Sequence, residues 1–149
     1  MTAPSTHNAR SHHQPADTEI SPDPSWPDWL KREFQDNQGN DAVGTRLLSV
    51  DERVRVWHIS IPAGGRLPVH RHVLDYFWTA LTHGRSRSHY HDGRTLEASY
   101  EPGVTRHYRF GKGAFMMHDL ENIGDTELAL TTVEFLDSAN PPLTTREAA

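Results

Sequence analysis

"GGRLPVHRHVLDYFWTALTHG", residues 64–84, places two histidines one residue apart within a run of β-forming residues. In a β-strand, residues two apart point to the same face, and their Cα atoms lie roughly 7 Å from each other. The imidazoles of His70 and His72 can therefore reach one ion, and histidine nitrogen is a common metal ligand. This segment predicts a strand that carries part of a metal site.

The sequence around this segment repeats the β-type pattern. From residue 42 onward, short runs of β-forming residues are separated by turn residues about every eight to twelve positions. The runs cover residues 43–50, 54–61, 68–74, 75–82, 85–90, 95–100, 104–110, 114–122 and 127–135. Eight or nine short strands with almost no helix predict an all-β sandwich or barrel.

The N-terminal part has a different composition. Residues 1–24 are rich in Pro, Ser, Thr, His and Asp, so they are predicted to be a disordered tail. Ser25 is expected to cap a short helix. The apolar face of that helix is expected to comprise Trp29, Leu30 and Phe34. We expect a single domain over residues 25–140 and a C-terminal tail over residues 141–149.

The composition excludes several classes of function. The chain has no cysteine, so disulfides, cysteine-zinc sites and thiol catalysis are excluded. The formal charge of −5 gives no electrostatic reason to expect nucleic acid or an anionic membrane as a partner. No apolar stretch approaches the roughly 18 residues of a membrane span, and the N-terminus lacks the apolar core of a secretory signal. We expect a cytoplasmic protein that acts on a small molecule.

A second histidine motif lies in the segment HDLENIGD, residues 118–125. Together the two segments resemble the paired motifs of the cupin superfamily. The first motif runs Gly, five residues, His-x-His, three or four residues, Glu, six residues, Gly. It is matched here by Gly64, His70, His72 and Gly84, with Phe77 in place of the glutamate. His118 and Asn122 match the end of the second motif, whose earlier Pro-x-Gly element is replaced by RFGKGAFMM.

The resemblance covers about residues 44–136. It implies a cupin-type double-stranded β-helix, a jelly-roll barrel. It also implies that His70, His72 and His118 converge inside the barrel mouth and bind one metal ion. The alternative is that hydrogen bonds hold these histidines inside the barrel without a metal.

Other histidines have simpler interpretations. His89 and His91 form a second His-x-His pair that runs directly into a turn, so they are interpreted as solvent-facing. His58 and His107 lie in predicted strands and can point inward, but an ordinary polar partner explains each of them better.

The missing glutamate predicts the kind of chemistry. Three neutral imidazoles leave a divalent ion its full charge, so the site should favour anionic or chelating substrates. The resemblance points to cupins with three-histidine iron sites, among them thiol and diketone dioxygenases. We therefore expect a metal-dependent enzyme, with Fe(II) preferred and Zn, Mn or Ni as alternatives. An isomerase or lyase with a redox-inert metal and a non-catalytic small-molecule-binding cupin remain alternatives.

Asp75 and Tyr76 are the candidate catalytic residues. Asp75 lies two positions before Phe77 and could act as a base or as a partner of the metal ligands, although it could also be a turn residue. Packing is the alternative for Tyr76, as it is for Trp78. Two arginines, Arg106 and Arg109, could hold a carboxylate in the cavity, or they could be exposed strand residues.

A homodimer is also expected. Antiparallel sheets of this type leave edges that a partner commonly covers. The apolar segment around Trp26 and Trp29 is the candidate contact.

Overall fold

The computed structural model describes residues 19–147 and shows a nearly all-β fold. It has one described helix, α1 (Asp28–Asp36). The nine strands are β1 (Arg46–Val50), β2 (Val54–Ile61), β3 (Arg66–His72), β4 (Tyr76–Ala80), β5 (Gly84–His89), β6 (Thr95–Tyr100), β7 (Thr105–Tyr108), β8 (Met116–Asn122) and β9 (Leu128–Phe135). Within residues 19–147, no helix is long and apolar enough to cross a membrane.

The strands form two antiparallel sheets. The larger sheet has the order β1-β2-β9-β4-β7, and the smaller sheet has the order β3-β8-β5-β6. Strand β2 shows the alternation that this arrangement requires, since every second residue is buried. Side chains from both sheets pack into a common core, which includes Ile59, Ile61, Leu67, Leu120, Leu128 and Leu130. The predicted all-β fold is confirmed.

The glycines and the asparagine of the two motifs have structural roles. Gly64 has a φ of 79°, in the left-handed region that favours glycine. Its N–H donates to the carbonyl of Asn122 at 3.0 Å. The side-chain amide of Asn122 donates to the carbonyls of Ile61 and Thr126 at 2.9 and 2.8 Å. A side chain at Gly84 would meet Leu128 Cδ1 at 2.8 Å. Gly64 and Asn122 thus link the start of β3 to the end of β8, and Gly84 allows β5 to approach β9 closely.

Helix α1 packs on the outer side of β3, but its start and its apolar face differ from the prediction. Its N-cap is Pro27, and the Ser25 hydroxyl donates instead to the Asp23 carboxylate at 2.9 Å. Trp26, Leu30 and Phe34, spaced four residues apart, form the buried face. Trp29 is 49% exposed and lies beneath the Arg66 guanidinium. Of the two tryptophans predicted to form a dimer contact, Trp26 is buried and only Trp29 is exposed to a partner. The homodimer itself stays a prediction.

The chain on both sides of the predicted domain contacts the barrel. Residues 19–24 were assigned to the tail, yet Ile20 packs beside the helix cluster and the Ser21 N–H donates to the His91 carbonyl at 2.6 Å. At the other end, Thr144 and Arg146 bind the Asp41 carboxylate. Disorder of residues 1–18 was predicted for a part of the chain outside the described residues.

A buried polar network lies where the C-terminal segment meets the larger sheet. Arg55 is bonded to Asp41 at 3.3 Å and to the carbonyl of Thr144. Nearby, the Trp57 indole N–H donates to Glu134 at 2.8 Å. Burial raises the pKa of Glu134 from 4.5 to about 7, and the Trp57 hydrogen bond and the Arg55 charge offset only part of that effect. Glu134 is not among the residues predicted from the sequence.

The raised pKa of Glu134 makes stability depend on pH. The folded state holds this proton to a higher pH than the unfolded state, so stability should fall as pH rises from about 4.5 to about 7. Glu134→Gln keeps an acceptor for Trp57 and cannot ionise. Relative to this variant, the wild-type protein should lose at most about 3 kcal/mol of unfolding free energy across that window. Urea unfolding at pH 5 and pH 8 measures this loss. If the difference in unfolding free energy between the wild type and Glu134→Gln were the same at both pH values, the prediction would be wrong.

Candidate metal site

The pairing of β3 with β8 assembles the three histidines. His70 lies directly opposite His118 in this antiparallel pair, and His72 is on the same face of β3 as His70. One ring nitrogen from each histidine lies within 4.8 Å of the others. The Nε2 atoms of His72 and His118 are 3.3 Å apart. The structure therefore brings together the three residues predicted as ligands.

The protonation of these rings fits a metal site. His70 Nδ1 lies 2.8 Å from the carbonyl of Pro68 and donates to it, which leaves the Nε2 lone pair available. Burial lowers the pKa of His70 to about 4, and burial with the nearby His70 lowers the pKa of His118 well below its usual range. At neutral pH the rings of His70 and His118 should therefore be neutral, as metal ligands must be. A donor set of three imidazoles fits a divalent transition metal.

Aromatic rings hold two of the histidines in place. The Tyr76 ring stacks on His72 with centroids 4.1 Å apart, and Tyr108 stacks on the far side of Tyr76 at 4.7 Å. Tyr90 stacks on His118 at 5.2 Å. These contacts restrict the rotation of the imidazoles and leave their ring edges facing one another.

The histidines open into a small cavity of about 80 Å³ between the two sheets. All four tyrosines of the sequence line it, together with Trp78, Ser86, Ser88, Glu97, Arg106 and Thr132 among others. Burial raises the pKa of each tyrosine, that of Tyr100 to about 12. The cavity wall therefore offers neutral phenols, which can donate hydrogen bonds to an oxyanion.

Phe77 does not occupy the place of the missing glutamate. Its ring faces away from the cavity and packs near His107 and Phe135, with centroids 5.2 and 6.0 Å away. Neighbouring residues of a strand point to opposite faces, so the residue that faces the histidines is Tyr76. The family motif allows three or four residues before the glutamate, and a spacing of three ends at Tyr76. A stacked phenol therefore stands beside His72.

The structure does not bring Asp75 to the histidines. Its carboxylate accepts a hydrogen bond from the Phe110 N–H at 2.8 Å, and its own N–H donates to the Ser138 hydroxyl at 2.9 Å. It does not line the cavity. Asp75 thus connects the β3–β4 turn to two loops. This position matches the alternative interpretation of Asp75 as a turn residue. Tyr76 does line the cavity, and its catalytic role stays a prediction.

The interpretation of His89 and His91 as solvent-facing is wrong. His89 Nδ1 lies 3.0 Å from the fully buried Asp119 carboxylate, and His91 is 2% exposed. The Met117 N–H donates to His91 Nδ1 at 3.1 Å. This segment is buried because it runs beside β8, where Tyr90 pairs with His118. His58 and His107 do not line the cavity.

Sequence reasoning missed several cavity residues. Ser86 and Ser88 are buried on β5 and face the cavity, as do Tyr90 and Tyr100. Alternation of small polar residues along 85–90 was the available signal. Of the two arginines proposed for carboxylate binding, only Arg106 lines the cavity, whereas Arg109 is exposed.

Comparison with solved structures identifies the class of fold. A cupin domain from Bordetella pertussis superposes with a TM-score of 0.53 and 26% identity, covering 64% of this chain and 94% of that one. A cupin family protein with a double-stranded β-helix fold from Methanocaldococcus jannaschii gives 0.50 and 19%, covering 66% and 79%. A Bacillus halodurans protein gives 0.50 and 17%, covering 88% and 90%. The chain therefore has the cupin fold.

Comparison of the amino-acid sequence with known families and proteins identifies no relative. No protein-family model matches it, and a search of curated proteins finds no significant match.

The position of Tyr76 can be tested by installing a carboxylate. Tyr76→Glu should tighten Zn²⁺ binding on the order of tenfold relative to Tyr76→Gln, because the added charge faces the three histidines. Phe77→Glu, on the outer face, should leave the zinc dissociation constant unchanged. Competition titration with a chromogenic chelator measures all three variants. Tighter binding in Phe77→Glu, with no gain in Tyr76→Glu, would contradict this assignment.

Proposed function

We propose that this cupin is a metal-dependent enzyme that acts on a small anionic or chelating metabolite. The observation that carries the proposal is the convergence of His70, His72 and His118 within 4.8 Å at one end of a lined cavity. Three neutral ligands leave a bound divalent ion its full charge of +2, whereas a carboxylate ligand would reduce it. An anionic substrate supplies the neutralisation that the protein does not.

We propose Fe(II) as the working metal and dioxygenation as the reaction. Bound Fe(II) would supply reaction with dioxygen, while zinc, manganese and nickel also accept imidazole ligands. The chain's own residues exclude bulk water, since His70 and His72 are each only 2% exposed. The stacked Tyr76 and Tyr90 rings orient two of the ligands, and the protonated phenols can hold substrate oxygens by hydrogen bonds.

The geometry gives less support to the isomerase or lyase alternative. That reaction needs a base beside the substrate, and the candidate base Asp75 is bonded to the Phe110 N–H, away from the cavity lining. Of the residues described, Glu97 is the only carboxylate in the lining, and it is paired with Arg87 at 2.9 Å. Neither carboxylate is placed as a free base near the histidines.

The ligand assignment predicts how metal content responds to substitution. Replacement of His70, His72 or His118 by alanine should lower bound metal from about one ion per chain to a small fraction of that, because two imidazoles hold a divalent ion much more weakly than three. His107→Ala, on the exposed side of β7, should retain full metal content. Elemental analysis of protein purified without an affinity tag measures both. Full content in His70→Ala and His72→Ala would refute the assignment.

Oxygen uptake tests the reaction type. The Fe(II)-loaded protein should consume dioxygen in the presence of its substrate, and a panel of small thiols, diketones and hydroxy acids covers the proposed chemistry. Uptake should fall to background in His118→Ala and persist in His107→Ala. A compound that is converted equally fast under nitrogen would exclude the dioxygenase and favour the redox-inert alternative.

A further inference from the structure

Few charged side chains line the cavity. Among the lining residues within 19–147, Arg106 is the only lysine or arginine, and Glu97 is the only carboxylate. Glu97 accepts two hydrogen bonds from Arg87, at 2.9 and 3.1 Å, and lies 3.8 Å from Arg85. Two arginines outside the lining therefore balance the charge of Glu97. The guanidinium of Arg106, which donates to the Thr105 carbonyl at 3.3 Å, adds a positive charge to the cavity wall.

Arg106 lies on the same wall as the aromatic rings beside His72. The rings of His72, Tyr76 and Tyr108 form a stacked row that leads from the histidines to β7. Arg106 is two residues before Tyr108 on β7, on the same face and roughly 7 Å along the strand. It pairs with Trp78, which also lines the cavity. Arg106 and the three histidines therefore line the same cavity.

The chemistry of this wall suits a carboxylate. Arginine presents a planar fork that matches the two oxygens of a carboxylate. The neighbouring Tyr76 and Tyr108 carry hydroxyl groups, which can donate hydrogen bonds to an anion. The cavity of about 80 Å³ is small beside the roughly 300–1,000 Å³ of pockets for drug-sized ligands. The occupant must therefore be a small molecule.

We propose that Arg106 binds the carboxylate of the substrate and so selects short carboxylic acids that carry a second donor group for the metal. The role of the second donor group rests on the proposed metal-dependent function, whereas the carboxylate contact does not. Arg106 is in this account a specificity-determining residue, and Arg109, three positions later, is excluded from that role because it is exposed outside the cavity.

The test compares Arg106→Gln with Arg109→Gln, which removes the same charge from outside the cavity. Calorimetric titration of the full-length, zinc-loaded chain uses formate, acetate and glycolate, with formamide, acetamide and glycolamide as neutral counterparts. The wild-type protein should bind the acids and discriminate against the amides. Arg106→Gln should weaken binding of the acids by about 10- to 100-fold. Arg106→Lys, which keeps the charge without the fork, should give an intermediate loss, and Arg109→Gln should leave binding unchanged.

The design separates this proposal from the metal proposal. Zinc content should be the same in all three variants and in the wild type, since none of the changes touches a histidine. If the wild-type chain takes up no zinc, the metal-dependent function fails, and acetate binding to the metal-free chain still tests Arg106. The proposal is overturned if none of the acids binds the wild-type chain, if Arg106→Gln binds them as tightly, or if Arg109→Gln loses as much affinity.

Discussion

The antiparallel register between β3 and β8 is the constraint on which the site depends. It places His70 opposite His118, with His72 two residues along the same face. Because side chains alternate along a strand, a slip of one residue would turn a histidine out of the cavity. The register shifts once, between Leu67 and His70, so that the histidines pair correctly beyond the irregularity. The two backbone bonds that link Asn122 to residues 64 and 65 fix the other end of the pair.

The opposite face of the same two strands reinforces this register. Arg66 of β3 bonds Asp119 of β8 at 3.0 Å and also pairs with Glu33 of helix α1. Glu33 in turn accepts the Val69 N–H at 2.8 Å, and Asp119 accepts from His89 of β5. Asp119 is fully buried, so removal of Arg66 would leave a buried charge with fewer partners, which is costly. The short helix is thus connected through charged side chains to the strands that carry His70, His72 and His118.

Much of this arrangement could be predicted from the sequence. The alternating runs gave all nine strands to within a few residues, since β-periodicity depends only on which residues face the core. The resemblance carried by the spacing of His70, His72 and His118 predicted that these three side chains converge, and in the structure they do. The predicted run 68–74 continues two residues beyond β3, because Val73 and Leu74 are buried beneath helix α1 and not in a strand.

The remaining errors come from facts that only the folded chain contains. A motif with a variable gap cannot decide between Phe77 and Tyr76, and one position reverses the face of the strand. His89 and His91 precede a turn, yet that turn is packed against β8 and against residues near Ser21. Asp75 and Ser25 are residue types typical of a base and of a helix cap. In the structure, however, Asp75 accepts a hydrogen bond from the Phe110 N–H, and the Ser25 hydroxyl donates to Asp23. Phe110 lies 35 residues from Asp75, so local sequence gives no information about that partner, whereas Asp23 is only two residues from Ser25.

The most direct measurement of the central claim is X-ray absorption at the zinc edge of the zinc-loaded full-length protein. The account predicts three imidazole nitrogens at about 2.0–2.1 Å, with the multiple-scattering pattern of histidine rings. His118→Ala, which should bind zinc only weakly, should show no more than two imidazoles per zinc ion, whereas His107→Ala should keep three. A shell of oxygen ligands alone, or an identical spectrum from wild type and His118→Ala, would contradict the assignment of His70, His72 and His118 as the metal site.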